Sequence, residues 1–291
     1  MSAPRTIEAI LAPLPPSMVG DGFRVHNFFP NGYRIGKRMS PFYLLDYNSL
    51  VDFSPSEHPR GVGVHPHRGF ETVTIAYHGE VAHHDSAGNS GVIRSGDVQW
   101  MTAASGVLHK EYHGTEFTRT GGPFQMIQLW VNLPAKHKMD PPGYQGLTHA
   151  AMGKAELPDN GGTVNVIAGS YHGVKGPAKT FTPIELWDAR LNTGGRMAFD
   201  LPASHNAGLL VVKGSVTVNG QPAPTDHFVL FTNEGEHIEV VANEEAIVLL
   251  LAGEPINEPI AQYGPFLMNT HEELEQAFKD LAAGKFGVLE D

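Results

Sequence analysis

His65-Pro66-His67-Arg68-Gly69-Phe70-Glu71-Thr72-Val73, and further on Gly106-Val107-Leu108-His109-Lys110-Glu111, are the stretches on which the reading of this chain turns. Both have strand character. On a β-strand, side chains two apart share a face, so His65 with His67 and His109 with Glu111 each offer two donors in one direction. If the two strands meet, three imidazoles and one carboxylate converge, which suits a divalent transition metal with positions left open for substrate. Spacing alone leaves the carboxylate undecided, because Glu71 also lies an even number of residues from His67.

The pair by itself is weak. With 16 His in 291 residues, roughly 0.9 His-x-His pairs arise in a shuffled chain. Its weight comes from the strand context, the neighbouring Gly61, Gly63 and Gly69, and the second His-x-Glu segment. His113 continues the even series and reads as a supporting or solvent-facing residue. His83 and His84 face opposite ways on a strand and read as a hairpin surface. His58, His78, His205, His227 and His237 have no paired donor and read as structural. Trp100 and Met101 read as core, or as cavity lining if the site opens on an apolar cavity.

No cysteine is present, which excludes disulfides, thiolate metal sites and Cys nucleophiles and leaves N and O donors. A formal net charge of −11 argues against direct nucleic-acid binding, which rests on Lys and Arg neutralising phosphates. The N-terminus lacks a basic stretch followed by an apolar core, and the longest apolar run, 246–252, is too short to span a bilayer. A soluble cytoplasmic protein without a membrane partner is the expectation.

Thirty-three Gly, 22 Pro and only 18% charged residues describe a turn-rich chain of short strands. Candidate strands at 23–25, 42–45, 72–77, 80–83, 91–94, 98–101 and 124–131 are separated by turn residues, and their spacing points to a barrel or sandwich. Pro134 through Pro142 reads as a linker, which sets an N-terminal metal-binding domain at 1–135 and a C-terminal metal-free domain at 143–291. Leu209-Leu210-Val211-Val212-Lys213-Gly214-Ser215-Val216 repeats the manner of Thr74-Ile75-Ala76-Tyr77-His78-Gly79-Glu80-Val81, an internal duplication whose second copy lacks a His-x-His pair. Near the C-terminus, Thr270 and Glu273 form a capping-box pattern, Leu274, Ala277, Phe278 and Leu281 an apolar stripe, and Gly284 a stop; this predicts one packing helix.

The two opening stretches, together with Gly96-Asp97-Val98-Gln99-Trp100-Met101-Thr102-Ala103, Gln128-Leu129-Trp130-Val131-Asn132-Leu133 and Gly264-Pro265-Phe266-Leu267-Met268-Asn269-Thr270, resemble the pirin family of bicupins over nearly the whole chain. The resemblance implies an all-β fold of two stacked cupin-type barrels with a short C-terminal helix. It also implies one metal, usually iron, held by His65, His67, His109 and Glu111, although Ni, Cu, Mn or Zn would suit the same donors. Ala104 and His113 stand where the general cupin pattern commonly has a proline and an asparagine. The activity implied is that of a quercetin 2,3-dioxygenase acting as a monomer on a small aromatic substrate and O₂, with Glu111 as proton acceptor. Pirins also include metal-containing, redox-responsive regulators that work through a protein partner.

Overall fold

The computed structural model describes residues 2–290, and β-strands dominate it. The strands fall into two compact units. One, here the histidine unit, comprises Pro15–Arg34, Phe42–His149 and Ile256–Asp291; the other, the apolar unit, comprises the segment up to Leu14, Ile35–Pro41 and Ala150–Pro255. A single boundary at 135–143 therefore does not divide the chain, because each terminal segment joins the unit built mainly from the opposite half.

Each unit pairs its strands into one seven-stranded, one four-stranded and one two-stranded sheet. In the histidine unit the larger sheet runs Gly143–Leu147, Val98–Thr102, Phe70–His78, Gly122–Asn132, Phe42–Phe53, Phe23–Phe29, Ser17–Val19. The smaller runs Gly61–His67, Val107–His113, Val81–Asp85, Ser90–Ile93. The apolar unit repeats this order with Ile7–Leu11, Phe228–Phe231, Asn206–Lys213, Ala246–Gly253, Ile184–Leu191, Gly162–Ala168, Gly153–Glu156, and with Arg196–Asp200, His237–Ala242, Val216–Val218, Gln221–Ala223. The cupin duplication is thus strand for strand. Among the described residues the ladders link these strands into separate sheets, where closed barrels were expected.

The duplication is fixed in register by the turns at Gly79 (φ 82°) and Gly214 (φ 71°), a conformation that favours glycine. Counting from these turns, Val81 corresponds to Val216 and Thr74 to Leu209. In the apolar unit, alternation buries one face of every strand in a single cluster that includes Trp187, Leu209, Val240 and Leu250.

The helix His271–Ala282 belongs to the histidine unit and carries the expected capping box between Thr270 and Glu273. Leu274 and Ala277 are buried, whereas Phe278 is exposed. The segment 134–142 is not a loose linker. It contains a short 3₁₀ turn, Ala135–His137, and the fully buried Lys138, whose Nζ donates to Asn132 Oδ1 (2.6 Å), Gly69 O (2.7 Å) and Leu267 O (2.8 Å). Gly69 (φ 91°) permits this approach, since a Cβ there would lie 2.1 Å from Leu267 O. Among the described residues no helix is long and apolar enough to cross a membrane.

Candidate metal centre

The strands Gly61–His67 and Val107–His113 pair antiparallel with His109 directly opposite His65 and Val107 opposite His67. The sequence spacing thus places three imidazoles on one face of two neighbouring strands, with ring centroids 4.2 Å (His65–His109), 4.7 Å (His67–His109) and 4.8 Å (His65–His67) apart. One ring nitrogen from each lies within 4.8 Å of the others.

Glu111 does not complete that group directly. A register shift between His109 and Glu111 pairs Glu111 with Val62, and a bulge of this kind re-aims the side chains beyond it. Glu111 groups instead with His109 and His83, again within 4.8 Å, so two triads share His109.

His83 is the residue that spacing missed. It is fully buried rather than on a hairpin surface, lies opposite Glu111 in the ladder, and stacks on Tyr144 at 5.4 Å. Gln99 Nε2 donates to His83 Nδ1 across 2.9 Å, which occupies that lone pair and puts the ring proton on Nε2, 3.5 Å from Asp85 Oδ2. His65 is arranged the other way. Its Nδ1–H donates to Gly63 O (2.8 Å), so Nε2 is left as a bare donor. This contrast favours His65, His67 and His109 as ligands and puts His83 behind them.

The donor set fits a divalent metal on further grounds. Neither ring nitrogen of the fully buried His109, nor Nδ1 of His67, has a hydrogen-bond partner among the described residues. Buried polar atoms of this kind are costly unless something binds them. Burial, with help from the adjacent imidazoles, lowers both groups well below the usual histidine range, which keeps them neutral and able to donate lone pairs.

The alternative carboxylate lies elsewhere. The turn at Arg68 and Gly69 separates His67 from the strand Phe70–His78, so the even count from His67 to Glu71 does not carry over. Glu71 accepts from Thr102 Oγ1 (2.7 Å), and burial pushes its carboxyl up to about 7. On that strand it points to the face opposite Thr74, and it is Thr74 Oγ1 that reaches Glu111 Oε1 (3.2 Å). His113 is core, donating from Nε2 to Gly22 O (2.8 Å) among Phe23, Phe53, Phe117 and Phe124.

Beneath the site one register line crosses five strands: Asn27, Asp46, Gln128, Thr74 and Gln99. Asn27 Nδ2 donates to Asp46 Oδ1 (2.6 Å), and Thr74 Oγ1 lies 2.6 Å from Gln128 Oε1. The matching line in the apolar unit is Val166, Trp187, Leu250, Leu209 and Val229, all buried in its hydrophobic cluster. At the positions of His65, His67, His83, His109 and Glu111 that unit carries Phe199, Leu201, Val218, Ile238 and Val240, members of the same cluster. The second copy has filled the donor positions with apolar core.

His65, His67 and Glu111 open on a cavity of about 320 Å³ walled by Phe23, Val25, Leu44, Met126 and Trp130, with Asp46 and Gln128 among them. Trp130 and Met126 line the cavity, whereas Trp100 and Met101 are fully buried, the core reading of the two that the sequence offered. A larger depression of about 870 Å³ in the apolar unit carries no grouped donors among the described residues.

The chain is similar to known proteins in sequence and fold. The family descriptions Pirin and Pirin C-terminal cupin domain match residues 22–131 and 186–287. A Pseudomonas aeruginosa protein named "Putative quercetin 2,3-dioxygenase" is 48% identical over 92% of this chain and 93% of its own. A Solanum lycopersicum protein named "Pirin-like protein" is 40% identical over 86% of this chain and 83% of its own. Among solved structures, a quercetin 2,3-dioxygenase from Acinetobacter baumannii gives a TM-score of 0.93 at 44% identity, covering 99% of this chain and all of that one.

Proposed function

The chain belongs to the pirin family, and on that premise we propose that it is a mononuclear metal-dependent dioxygenase that cleaves a flavonol such as quercetin. The observation that carries this reading is the opening of His65, His67 and Glu111 onto an apolar cavity of a size that small-molecule sites occupy. Its metal ligands are His65, His67, His109 and Glu111. Iron is the metal that the family likeness favours, and imidazole and carboxylate donors also accept Ni, Cu, Mn or Zn.

A bound divalent metal supplies Lewis acidity toward an enolic hydroxyl beside a carbonyl and a route for electrons to O₂. The rest belongs to the chain. Glu111 would hold the metal through one oxygen and accept the hydroxyl proton on the other, with Thr74 Oγ1 lying 3.2 Å from its Oε1. Phe23, Leu44, Met126 and Trp130 bind the flat rings and keep water from the electron-rich intermediate. His83 and Gln99 support the site through Glu111's neighbouring strand.

Metal-loaded protein should consume quercetin under air, seen as O₂-dependent loss of the flavonol absorption band, and the His67→Ala variant should show little. Fully metallated wild type that leaves quercetin unchanged across several metals would make the metal-containing regulator, acting through a protein partner, the better account.

A further inference from the structure

Within the cavity wall, Asp46 is the one ionisable residue besides His65, His67 and Glu111. Its neighbours there include Leu44, Met126 and Trp130, and a carboxyl in such surroundings is costly unless it has partners. One of its oxygens is fixed. Asn27 Oδ1 accepts from the backbone N–H groups of Asn31 and Gly32 (2.9 Å each), which turns the Asn27 amide so that Nδ2 meets Asp46 Oδ1 at 2.6 Å. No hydrogen bond holds Asp46 Oδ2 among the described residues. Burial raises this carboxyl to about 6, so near neutral pH it is mainly an anion seeking a donor.

Asp46 also shares the register line that ends on the metal side. Gln128 lies beside it, Thr74 beside Gln128, and Thr74 contacts Glu111. Asp46 and Gln128 thus line the same cavity as His65, His67 and Glu111. The apolar unit has Trp187 at the corresponding position, so the carboxyl accompanies the donor set and is no requirement of the fold.

We propose that Asp46 is the specificity-determining residue of this site, its free oxygen accepting a hydrogen bond from a ring hydroxyl of a polyphenol remote from the hydroxyl at the metal. This rests on the flavonol reading given above. A site that holds such an acceptor selects against an analogue lacking the donor, because the acceptor is then buried without a partner.

The test is equilibrium binding to the metal-loaded protein, followed by quenching of tryptophan fluorescence. The probes are quercetin and 3-hydroxyflavone, which keeps the enolic hydroxyl beside the carbonyl and lacks the other ring hydroxyls. Wild type should prefer quercetin by about 10- to 100-fold, and Asp46→Ala should remove that preference, weakening quercetin and tightening 3-hydroxyflavone, because no acceptor is then left without a partner. Asp46→Asn keeps the side-chain size and should lose about tenfold on quercetin alone; it carries the test if the Ala variant fails to fold. Equal wild-type affinities, or a preference that survives both substitutions, would overturn the proposal. Turnover is scored separately. Preference without consumption keeps Asp46 and removes the dioxygenase reading, whereas consumption without preference does the reverse.

Discussion

Arg68 Nη1 donates to Asp280 Oδ2 across 2.9 Å with both residues buried, so the position next to His67 is fastened to a helix more than two hundred residues downstream. Arg68 also lies 4.6 Å from the centre of the Phe286 ring and donates from Nε to Ser105 O (2.7 Å). The guanidinium is thereby held in a fork geometry that lysine could not reproduce.

Hydrogen bonds from Lys285, Arg68 and Gln276 hold the Asp280 carboxylate below the usual range. A lowered folded-state value stabilises the fold fully above an ordinary Asp value of about 4 and is lost as pH falls through it. Asp280→Asn should therefore lower Tm at neutral pH, with the gap to wild type narrowing below about pH 4. Thermal melts at several pH values check this; a gap that widens in acid would contradict it.

His65→Ala, His67→Ala and His109→Ala should each cut metal occupancy sharply while the apolar unit stays folded, because its core contains none of these residues. Glu111→Ala should do more harm than Glu71→Ala. Elemental analysis of wild type should find close to one equivalent per chain, and two equivalents would show a second site that the apolar unit was not expected to hold.

Thr74→Val keeps the shape of the side chain and removes the hydroxyl whose one proton is shared between Gln128 Oε1 (2.6 Å) and Glu111 Oε1 (3.2 Å). Changes of this kind behind a ligand typically cost about 10- to 100-fold in metal affinity. Competition with a chelator would measure the loss; an unchanged affinity would mean that Glu111 is not a ligand.

Lys138→Met leaves Gly69 O, Leu267 O and Asn132 Oδ1 without their shared donor. Stranded acceptors of this sort cost about 1–3 kcal/mol each, partly offset because burial already pushes the Lys138 ammonium down to about 7. Urea unfolding should register a net loss of about 2–5 kcal/mol, the mark of a buried group deprived of its partner.

Local periodicity made much of this site legible. His65, His67 and His109 declare themselves because a two-residue period survives within one strand, and the terminal helix because its cap is written in Thr270 and Glu273. What stayed hidden depends on pairing between distant strands. His83 acquires its place only when its strand lies beside Val107–His113, and the bulge that re-aims Glu111 has no local signature. Glu71 could compete with Glu111 in the spacing only because the count ran through a turn. Trp130 rather than Trp100 faces the cavity because register decides which side of a strand is the interior.

Residues 256–291 belong to the unit that carries His65, His67 and His109, and Leu267 and Asp280 close behind Gly69 and Arg68. The donors are made in the first half of synthesis, yet the wall that holds their turn is made last. A ribosome that has just passed residue 142 has produced every candidate donor and still lacks the pieces that hold their turn in place. Assembly of a rigid centre thus waits for residues 256–290, and removing them should act on a site encoded about two hundred residues earlier.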